Sequence, residues 1–306
     1  MNSVLTTIRR LIGNTLARIG LQKVPEAPIF RGVLHGFPAV LNEGNRYPFI
    51  ATGAPLFNAC LVEVVHWLSG KLERPIHLID VGAAYGDTVL LLEQRCSGLV
   101  QSYLCIDGND SFFQLLEKNT LRFSHVTRKK TLLASSVKKI PSMVHVHKGT
   151  AACIGNEHVQ TTTLDNVVME SGINFDLLKI DVDGFDGEVI AGGGRLIESQ
   201  KPLVLFEWHP CIWEQVGNNL IQPFEILRSN GYNDLLWFDN EGEFSHFGTT
   251  KCIESISKTM HYLKKVNHIR DRHFDILAIP ENGLSGYEEI ALLTYARGAA
   301  KRFPAI

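Results

Sequence analysis

The sequence is short of the features that mark several common classes of protein. Its six cysteines include no C-x-x-C pair, which argues against a zinc cluster or a disulfide framework and favours a reducing compartment. The formal net charge is only -2, so no basic surface for nucleic acid is expected. No apolar run reaches the length of a membrane span, and the first residues lack the hydrophobic segment of a signal peptide. We therefore expect a cytoplasmic protein.

The most informative segment that is present is Ile76–Thr88, IHLIDVGAAYGDT. Its apolar first half predicts a buried strand, Gly82 and Gly86 predict a tight turn, and Asp87 can begin a helix. A junction of this kind lets a ligand approach the backbone at the carboxyl edge of a sheet. A turn required only for packing would leave the same pattern, so the loop alone does not decide between the two interpretations.

The spacing of the glycines bears on which ligand the loop would hold. The dinucleotide fingerprint G-x-G-x-x-G needs a third glycine, which this loop lacks. Asp87 at the helix start would repel a pyrophosphate group. An adenosyl ligand that carries a sulfonium and an ammonium, and no phosphate, fits this charge better.

Strands and helices alternate from Ile76 onward. The alternation predicts an α/β fold with a mostly parallel sheet, helices on both faces and an antiparallel hairpin at one edge. A third strand is expected over residues 131–134, an edge strand over 144–153, and one helix over 187–199. We expect this domain to cover residues 73–283, with a helical and irregular extension over 1–72 and a C-terminal helix over 284–306.

The extension has two parts. Ser3–Leu21 repeats apolar residues at helical spacing among three arginines. Such a helix could pack on the domain or on a second subunit, and the alternative is a basic amphipathic helix on a membrane surface. Residues 25–55 are rich in proline, glycine and asparagine, which predicts an irregular connector or lid.

Acidic residues follow three of the predicted parallel strands, as Asp80, Asp107 and Asp181. Because ligands bind where parallel strands end, these carboxylates are expected to converge on one crevice. Asp107 stands 27 residues after Asp80, the usual position of the acid that accepts the hydroxyl protons of a ribose. The alternative is that Asp107 only begins a turn.

The segment Asp176–Glu188 is denser still, with one lysine and four acids near the end of a buried strand: Lys179, Asp181, Asp183, Asp186 and Glu188. Buried carboxylates need a cation, a lysine or a polar substrate to compensate them. Glu207 and His209 end the following strand. They could share a divalent ion with Asp181, or one of them could act as a base.

These motifs together resemble the FkbM family of methyltransferases. The resemblance rests on DVGAAYGDT, IDGND, TTTLDNVV, DLLKIDVDGFDGEVIAGG and PLVLFEWH, and it covers roughly residues 74–242. It implies S-adenosylmethionine as cofactor and the class I methyltransferase (Rossmann-like) fold. The chain departs from the family pattern in two places. Asp183 stands where glutamate is usual, and the segment Ala83–Tyr85 replaces a more polar loop.

The resemblance also assigns roles to individual residues. The methionine end of the cofactor would lie against four residues of the first motif: Asp80, Gly82, Ala84 and Gly86. Asp107 would hold the ribose, and Ser135 or Ser136 would lie beside the adenine. One family element matches Thr163, Leu164 and Asp165, which would support the site. A second family element matches Lys179, Asp181, Gly184 and Glu188.

The leading hypothesis is an S-adenosylmethionine-dependent O-methyltransferase. By the resemblance its acceptor is a sugar hydroxyl of a glycan or glycosylated metabolite, as in polysaccharide biosynthesis. Catalysis is expected from Asp181, Lys179 and His209, with Mg²⁺ or another divalent cation held by Asp181, Glu207 and His209 if a metal takes part. A homo-oligomer and peripheral membrane contact through the first helix are further expectations. The alternatives are an NAD-binding oxidoreductase and a non-catalytic module that binds S-adenosylmethionine.

Overall fold

The computed structural model of this chain describes residues 29–42, 45, 47, 58–147, 150–266, 272–281 and 284–302. The expected helix over Ser3–Leu21 lies outside the described residues. The strands are β1 (Ile29–Leu34), β2 (Phe37–Asn42), β3 (Ile76–Val81), β4 (Val100–Asp107), β5 (Val126–Lys130), β6 (Lys139–His147), β7 (Thr150–Gln160), β8 (Leu177–Ile180), β9 (Leu203–Trp208), β10 (Tyr232–Asp239), β11 (Phe244–Thr249) and β12 (Phe274–Pro280).

Helices connect most of these strands. They are α1 (Ala59–Leu72), α2 (Asp87–Arg95), α3 (Asp110–Thr120), α4 (Leu164–Ser171), α5 (Asp186–Gly192), α6 (Gly194–Gln200), α7 (Pro210–Gln215), α8 (Gln222–Ser229), α9 (Ile253–Val266) and α10 (Glu288–Arg302). Asn109 starts α3 by accepting hydrogen bonds from two backbone N–H groups of the first turn. None of the helices in the described part of the chain is long and apolar enough to cross a membrane.

An eight-stranded sheet forms the centre of the molecule, in the order β11-β10-β12-β9-β8-β3-β4-β5. The five strands from β9 to β5 pair in parallel, whereas β12 is antiparallel to both β9 and β10. The pair β10–β11 forms the antiparallel hairpin at one edge. This is the mostly parallel, Rossmann-like sheet that the sequence predicts.

Two apolar cores lie on opposite faces of the sheet, as the predicted helices on both faces require. Along β9, Leu203 and Leu205 belong to one core, and Val204 and Phe206 to the other. This alternation follows from the two-residue period of a strand. Residues of α1, α2 and α10 cover the first face, and residues of α4, α5, α6, α8 and α9 cover the second.

Two expected strands differ from the structure. The third parallel strand is β5 rather than residues 131–134, where Leu133 forms only an isolated bridge with Thr162. The pattern misses β5 because this edge strand has the sequence VTRKK, in which only Val126 is fully buried. Residues 144–153, expected as a strand at the sheet edge, belong instead to the separate two-stranded sheet of β6 and β7.

The helix expected over residues 187–199 is divided into α5 and α6 at Gly193. The segment 25–55, expected to be irregular, contains the hairpin of β1 and β2. Leu34 and Leu41 of this hairpin pack with Leu90 of α2 and Leu115 of α3 in a third apolar cluster. The hairpin therefore lies against the helices that flank the glycine loop, and the boundary between extension and domain stays a prediction.

Candidate functional site

A tight turn between β3 and α2, here called the glycine loop (residues 82–86), forms one side of the candidate site. Gly82 has a φ of +80°, and a Cβ atom there would lie 1.8 Å from the carbonyl oxygen of Asp181. No side chain fits, because the neighbouring atom belongs to the backbone and cannot turn aside. Gly86 has a φ of +85° and precedes the first residue of α2. Both glycines therefore serve the turn that the sequence predicts.

Hydrogen bonds hold the glycine loop against the end of β4. The Gly82 N–H donates to the carbonyl oxygen of Ile106 over 2.9 Å. The two carboxylate oxygens of Asp107 accept from the N–H groups of Ala84, over 2.9 Å, and Asn109, over 2.8 Å. Burial raises the pKa of Asp107 to about 7, although the two N–H donors act to lower it. Asp107 thus fixes the position of the loop at the edge where a ligand would bind.

A buried lysine joins two of the predicted acids. Nζ of Lys179 lies 3.0 Å from Oδ1 of Asp80 and 3.5 Å from Oδ2 of Asp181. Burial acts to lower the pKa of Lys179, but Asp80, Asp181 and Asp87 outweigh it and raise the pKa, so the amine stays protonated. Asp80 is fully buried, whereas the Asp181 side chain is 51% exposed. The lysine therefore compensates the buried acid and leaves the exposed one accessible.

Six charged side chains of the candidate site lie on the same face of the sheet, at the end where its parallel strands finish, and Lys130, in register with Asp107, lies there too. On each strand they continue the two-residue period of the apolar core, as Leu78 is followed by Asp80, and Leu205 by Glu207. The six residues are Asp80, Asp107, Lys179, Asp181, Glu207 and Asp275. The three acids predicted to converge are thus brought to one edge of one face.

A second group of carboxylates lies beyond Asp181. Glu207 of β9 pairs in register with Asp275 of β12. Burial, followed by the charges of Asp181, Asp186, Asp183 and Asp275, raises the pKa of Glu207 well above its usual value. Burial likewise raises the pKa of Asp183 to about 7 and that of Asp275 to about 6. These acids hold protons at a pH at which ordinary carboxyl groups have lost them.

His209 has a structural contact in this region. Its Nδ1 accepts a hydrogen bond from the Ile212 N–H over 3.3 Å and so caps α7, and its ring stacks on His273 with 5.4 Å between centroids. No group of three or more His, Cys, Asp or Glu side chains in the described residues is arranged to hold a metal ion. The expectation of a divalent ion on Asp181, Glu207 and His209 is therefore not supported. A catalytic role of His209 stays a prediction.

The hydrogen bonds of Ser135 go to Glu188 and not to the acids at the strand ends. Its N–H and its hydroxyl both donate to Oε2 of Glu188, over 3.1 and 2.8 Å, and Lys138 donates to the same oxygen over 2.6 Å. Burial opposes ionisation of Glu188, but Lys138 and Ser135 outweigh it and lower the pKa of this carboxyl group. Glu188 thus orders the chain that follows β5, where the resemblance places the adenine.

Thr163, Leu164 and Asp165, which match a family element, make structural contacts around the start of α4. The Thr163 hydroxyl accepts the Asn166 N–H and caps α4, and Leu164 is fully buried. The Asp165 carboxylate accepts the N–H groups of Arg195 and Leu196 over 3.1 and 2.9 Å. These contacts fasten the start of α4 to the start of α6 behind the sheet.

Three residues of the site were not predicted for it. Asp87, predicted as a helix start whose charge disfavours a pyrophosphate but given no place in the site, has its pKa raised to about 7 by burial and interacts with Lys179. Asp275 lies at the start of β12, and its signal was an acid in an otherwise apolar strand. Tyr47 is buried, with its hydroxyl 3.1 Å from Nε2 of His35, and burial together with Asp87 raises its pKa. No sequence pattern marks Tyr47.

A fourth unpredicted residue, Asn119 of α3, connects the hairpin with the glycine loop. Its amide nitrogen donates to the carbonyl oxygens of Val40, over 2.9 Å, and Tyr85, over 2.7 Å. Its amide oxygen accepts the Val40 N–H over 2.7 Å. Because Asn119 is almost fully buried, all three hydrogen bonds form away from water.

Comparisons with known proteins agree with the motifs. A family model described as the methyltransferase FkbM domain matches residues 80–233, just over half of the chain. No curated protein matches the chain.

Solved structures similar to this chain have low sequence identity to it. Methyltransferase FkbM from Methylobacillus flagellatus KT is 16% identical, with a TM-score of 0.36 over 44% of this chain and 33% of that chain. Precorrin-6y C5,15-methyltransferase from Geobacter metallireducens GS-15 is 13% identical, with a TM-score of 0.36 over 72% and 87%. A Methanococcus jannaschii fibrillarin pre-rRNA processing protein is 9% identical, with a TM-score of 0.40 over 86% of each chain. The chain thus spans about a third of the length of the first of these structures.

Proposed function

We propose, because this chain belongs to the FkbM methyltransferase family, that it transfers a methyl group to a hydroxyl oxygen of a sugar. Methyl transfer with S-adenosylmethionine is what the family supports; the oxygen and the sugar are the proposal. When bound, S-adenosylmethionine supplies a methyl group on a positively charged sulfur atom. The protein has to hold the acceptor oxygen in line with that group and remove its proton.

The residues present fit this cofactor. Oδ2 of Asp80 is buried and has no hydrogen-bond partner among the described residues, so a donor from a ligand would satisfy it. At Gly82 the backbone of Asp181 takes the place of a side chain, so the glycine sets the loop directly against the residue that follows β8. The carboxylates of Asp80, Asp87, Asp107 and Asp181 surround the glycine loop, and their negative charge suits an ammonium and a sulfonium group.

Individual roles follow from these contacts. Gly82, Ala84 and Gly86 would lie against the methionine end, and Asp107, already fixed by two N–H donors, would accept the ribose hydroxyls. Ser135 would lie beside the adenine, held in place by Glu188. Lys179 is a positioning residue in this proposal, because its protonated amine holds Asp80 and Asp181 rather than accepting a proton.

The proton of the acceptor hydroxyl goes to Asp181 in this proposal. Among the charged side chains on this face of the sheet, Asp181 has an exposed carboxylate. Its N–H donates to the Val81 carbonyl oxygen over 3.0 Å, which fixes it beside the glycine loop. Asp183, whose pKa lies at about 7, can then receive the proton from Asp181 near neutral pH. The oxygen–methyl bond would form as the sulfur–methyl bond breaks, and the positive charge lost from the sulfur would leave as the hydroxyl proton that Asp181 accepts.

A sugar is favoured as the acceptor by the carboxyl groups beyond Asp181. Carboxyl groups accept hydrogen bonds from several hydroxyls at once, which is what a sugar ring presents. The single observation that carries the proposal is the alignment of these acids with the glycine loop on one face and one edge of the sheet.

The test is a methylation assay with the full chain, S-adenosylmethionine carrying a deuterated methyl group, and a panel of sugars and sugar nucleotides. We expect labelled product with the methyl group on oxygen, and Asp181→Asn should lower kcat by about a hundredfold or more. Binding of S-adenosylhomocysteine should change by less than about threefold in this variant, because the glycine loop is untouched.

Asp110→Asn is the matched control, since Asp110 also lies at this sheet edge but its side chain is 76% exposed and pairs with Lys130. Methylation of nitrogen or carbon rather than oxygen would contradict the proposal, as would full activity of the Asp181→Asn variant.

A further inference from the structure

Two carboxylates of the second group, Glu207 and Asp275, lie on strands remote from the glycine loop. Asp275 is on β12, which is three strands away from β3 in the sheet. Neighbouring strands lie about 4.8 Å apart, so about 14 Å separate the end of β3 from Asp275. A ligand held by the loop is compensated by Asp80, Asp87, Asp107 and Asp181. The acids on the far side therefore belong to the acceptor.

Within this group two acidic side chains face each other. Glu207 and Asp275 are directly opposite on antiparallel strands, with side chains on the same face. Such pairs repel when both groups are ionised, and a fold without a use for them would place an apolar or oppositely charged residue at one position. Burial raises the pKa of both groups, and at Glu207 the charge of Asp275 adds to the effect.

A third member, Asp186, has an unsatisfied oxygen. Its side chain is fully buried, and Oδ1 has no hydrogen-bond partner among the described residues, while Oδ2 accepts the Gly184 N–H over 3.3 Å. Asp186 interacts electrostatically with Asp181, and Glu207 in turn feels its charge. A buried acceptor with no partner among the described residues points to a donor that arrives with a ligand.

The described residues supply little positive charge to this group. No lysine or arginine among them forms an ion pair with Asp183, Asp186, Glu207 or Asp275. Lys179 is held by Asp80 and Asp181. Burial raises the pKa values of Asp183 and Asp275, and it outweighs His273, which acts to lower both, and Lys179, which acts to lower that of Asp275. Nor are three acids or histidines arranged there to hold a metal ion, in the part of the chain that is described.

We propose that the acceptor carries a protonated amine close to the hydroxyl that is methylated, which makes an amino sugar the substrate class. This inference rests on the proposed function and narrows it. An ammonium group offers three hydrogen-bond donors and one positive charge, so it can bridge Glu207 and Asp275 and satisfy Asp186. The amine then anchors the ring while Asp181 faces the hydroxyl.

The test measures binding to the full chain saturated with S-adenosylhomocysteine. Calorimetry is run on a panel of amino sugars, including glucosamine, galactosamine and neamine, each beside its N-acetylated derivative. We expect at least one amine to bind about tenfold or more tightly than its N-acetylated partner, and this difference should shrink as salt is added. The inference is overturned if no amine on the panel exceeds its N-acetylated partner.

Isosteric variants locate the effect. Glu207→Gln and Asp275→Asn remove charge without removing volume, and each should reduce the preference for the amine by about tenfold while S-adenosylhomocysteine still binds, which shows a folded protein. Asp110→Asn should keep the preference. An unchanged preference in both acid variants would place the amine elsewhere and overturn the inference.

Product analysis separates this inference from the proposed function. O-methylated neutral sugars formed as fast as O-methylated amino sugars would leave the proposed function standing and refute the amine requirement. A methyl group found on the amine nitrogen would refute both.

Discussion

Lys179 and Asp80 form a buried ion pair across β8 and β3, with 3.0 Å between Nζ and Oδ1. The two residues lie in register on adjacent parallel strands, and Asp80 is fully buried. A charge in this position cannot be left alone, because its hydration is lost. The pair therefore holds the end of the central strand β3 in place, and the glycine loop begins at that end.

Removing one partner of the pair should be much worse than removing both. Lys179→Met leaves the buried carboxylate uncompensated and should lower the free energy of unfolding by about 3–5 kcal/mol, and Asp80→Asn should act in the same direction. The double variant should recover a large part of the loss. Urea unfolding of the four proteins checks this, and losses that simply add in the double variant would contradict it.

Gly82→Ala should disrupt the site through the backbone. The new Cβ would lie 1.8 Å from the Asp181 carbonyl oxygen, so the loop or the end of β8 has to move. We expect S-adenosylhomocysteine binding to fall below detection in calorimetry.

Gly98→Ala is its matched control, because Gly98 has a φ of +76° but nothing within 4 Å of the added Cβ. It should cost only about 1 kcal/mol of backbone strain and keep ligand affinity. Equal effects of the two variants would show that φ, and not the contact with Asp181, matters at Gly82.

Sequence patterns predict the parallel core of the sheet well and its surroundings less well. Asp80, Asp107 and Asp181 were predicted together because each directly follows an apolar run, and the two-residue period then fixes the face on which they lie. Asp275 was missed for a topological reason. Sequence patterns point to acids only at the carboxyl ends of predicted parallel strands. Because β12 is antiparallel to β9, the first residues of β12 lie beside those carboxyl ends.

Other differences come from contacts that have no local signal. The charged edge strand β5 is held by pairing with β4 and not by its own apolar residues. Tyr47 and Asn119 enter the site through packing between segments far apart in the chain, which no periodicity records. The Nδ1 contact that caps α7 likewise gives His209 a structural use that its position after a strand did not suggest.

His209 offers a way to separate capping from catalysis. Asparagine is a good residue for starting a helix, so His209→Asn should keep the free energy of unfolding within about 0.5 kcal/mol, whereas His209→Ala should lose about 1 kcal/mol. If capping is its whole role, kcat of the asparagine variant stays within about threefold of wild type. A loss of about a hundredfold in that variant would instead assign the imidazole to the reaction.

Stability without ligand should fall as the pH rises. Burial raises the pKa of Asp107 to about 7, above the value near 3.9 of an unfolded chain, so between these values the folded state binds the extra proton. Unfolding then becomes easier between about pH 4 and pH 7. Urea unfolding at pH 5 and pH 8 should show a loss to which Asp107 contributes about 2 kcal/mol, so the loss should be smaller by about that amount in Asp107→Asn and unchanged in Asp110→Asn. If Asp107→Asn loses as much stability between pH 5 and pH 8 as the wild-type protein, Asp107 is not a source of the pH dependence.

The three hydrogen bonds of Asn119 have a practical consequence for anyone who trims this protein. A fragment beginning at the first strand of the large sheet would strip two of them from a side chain that water does not reach. Asn119 would keep its hydrogen bond to Tyr85 but lose the hairpin that covers this amide, and the fragment would be a poor choice for crystallisation or assay. Expression boundaries should accordingly be set upstream of residue 29.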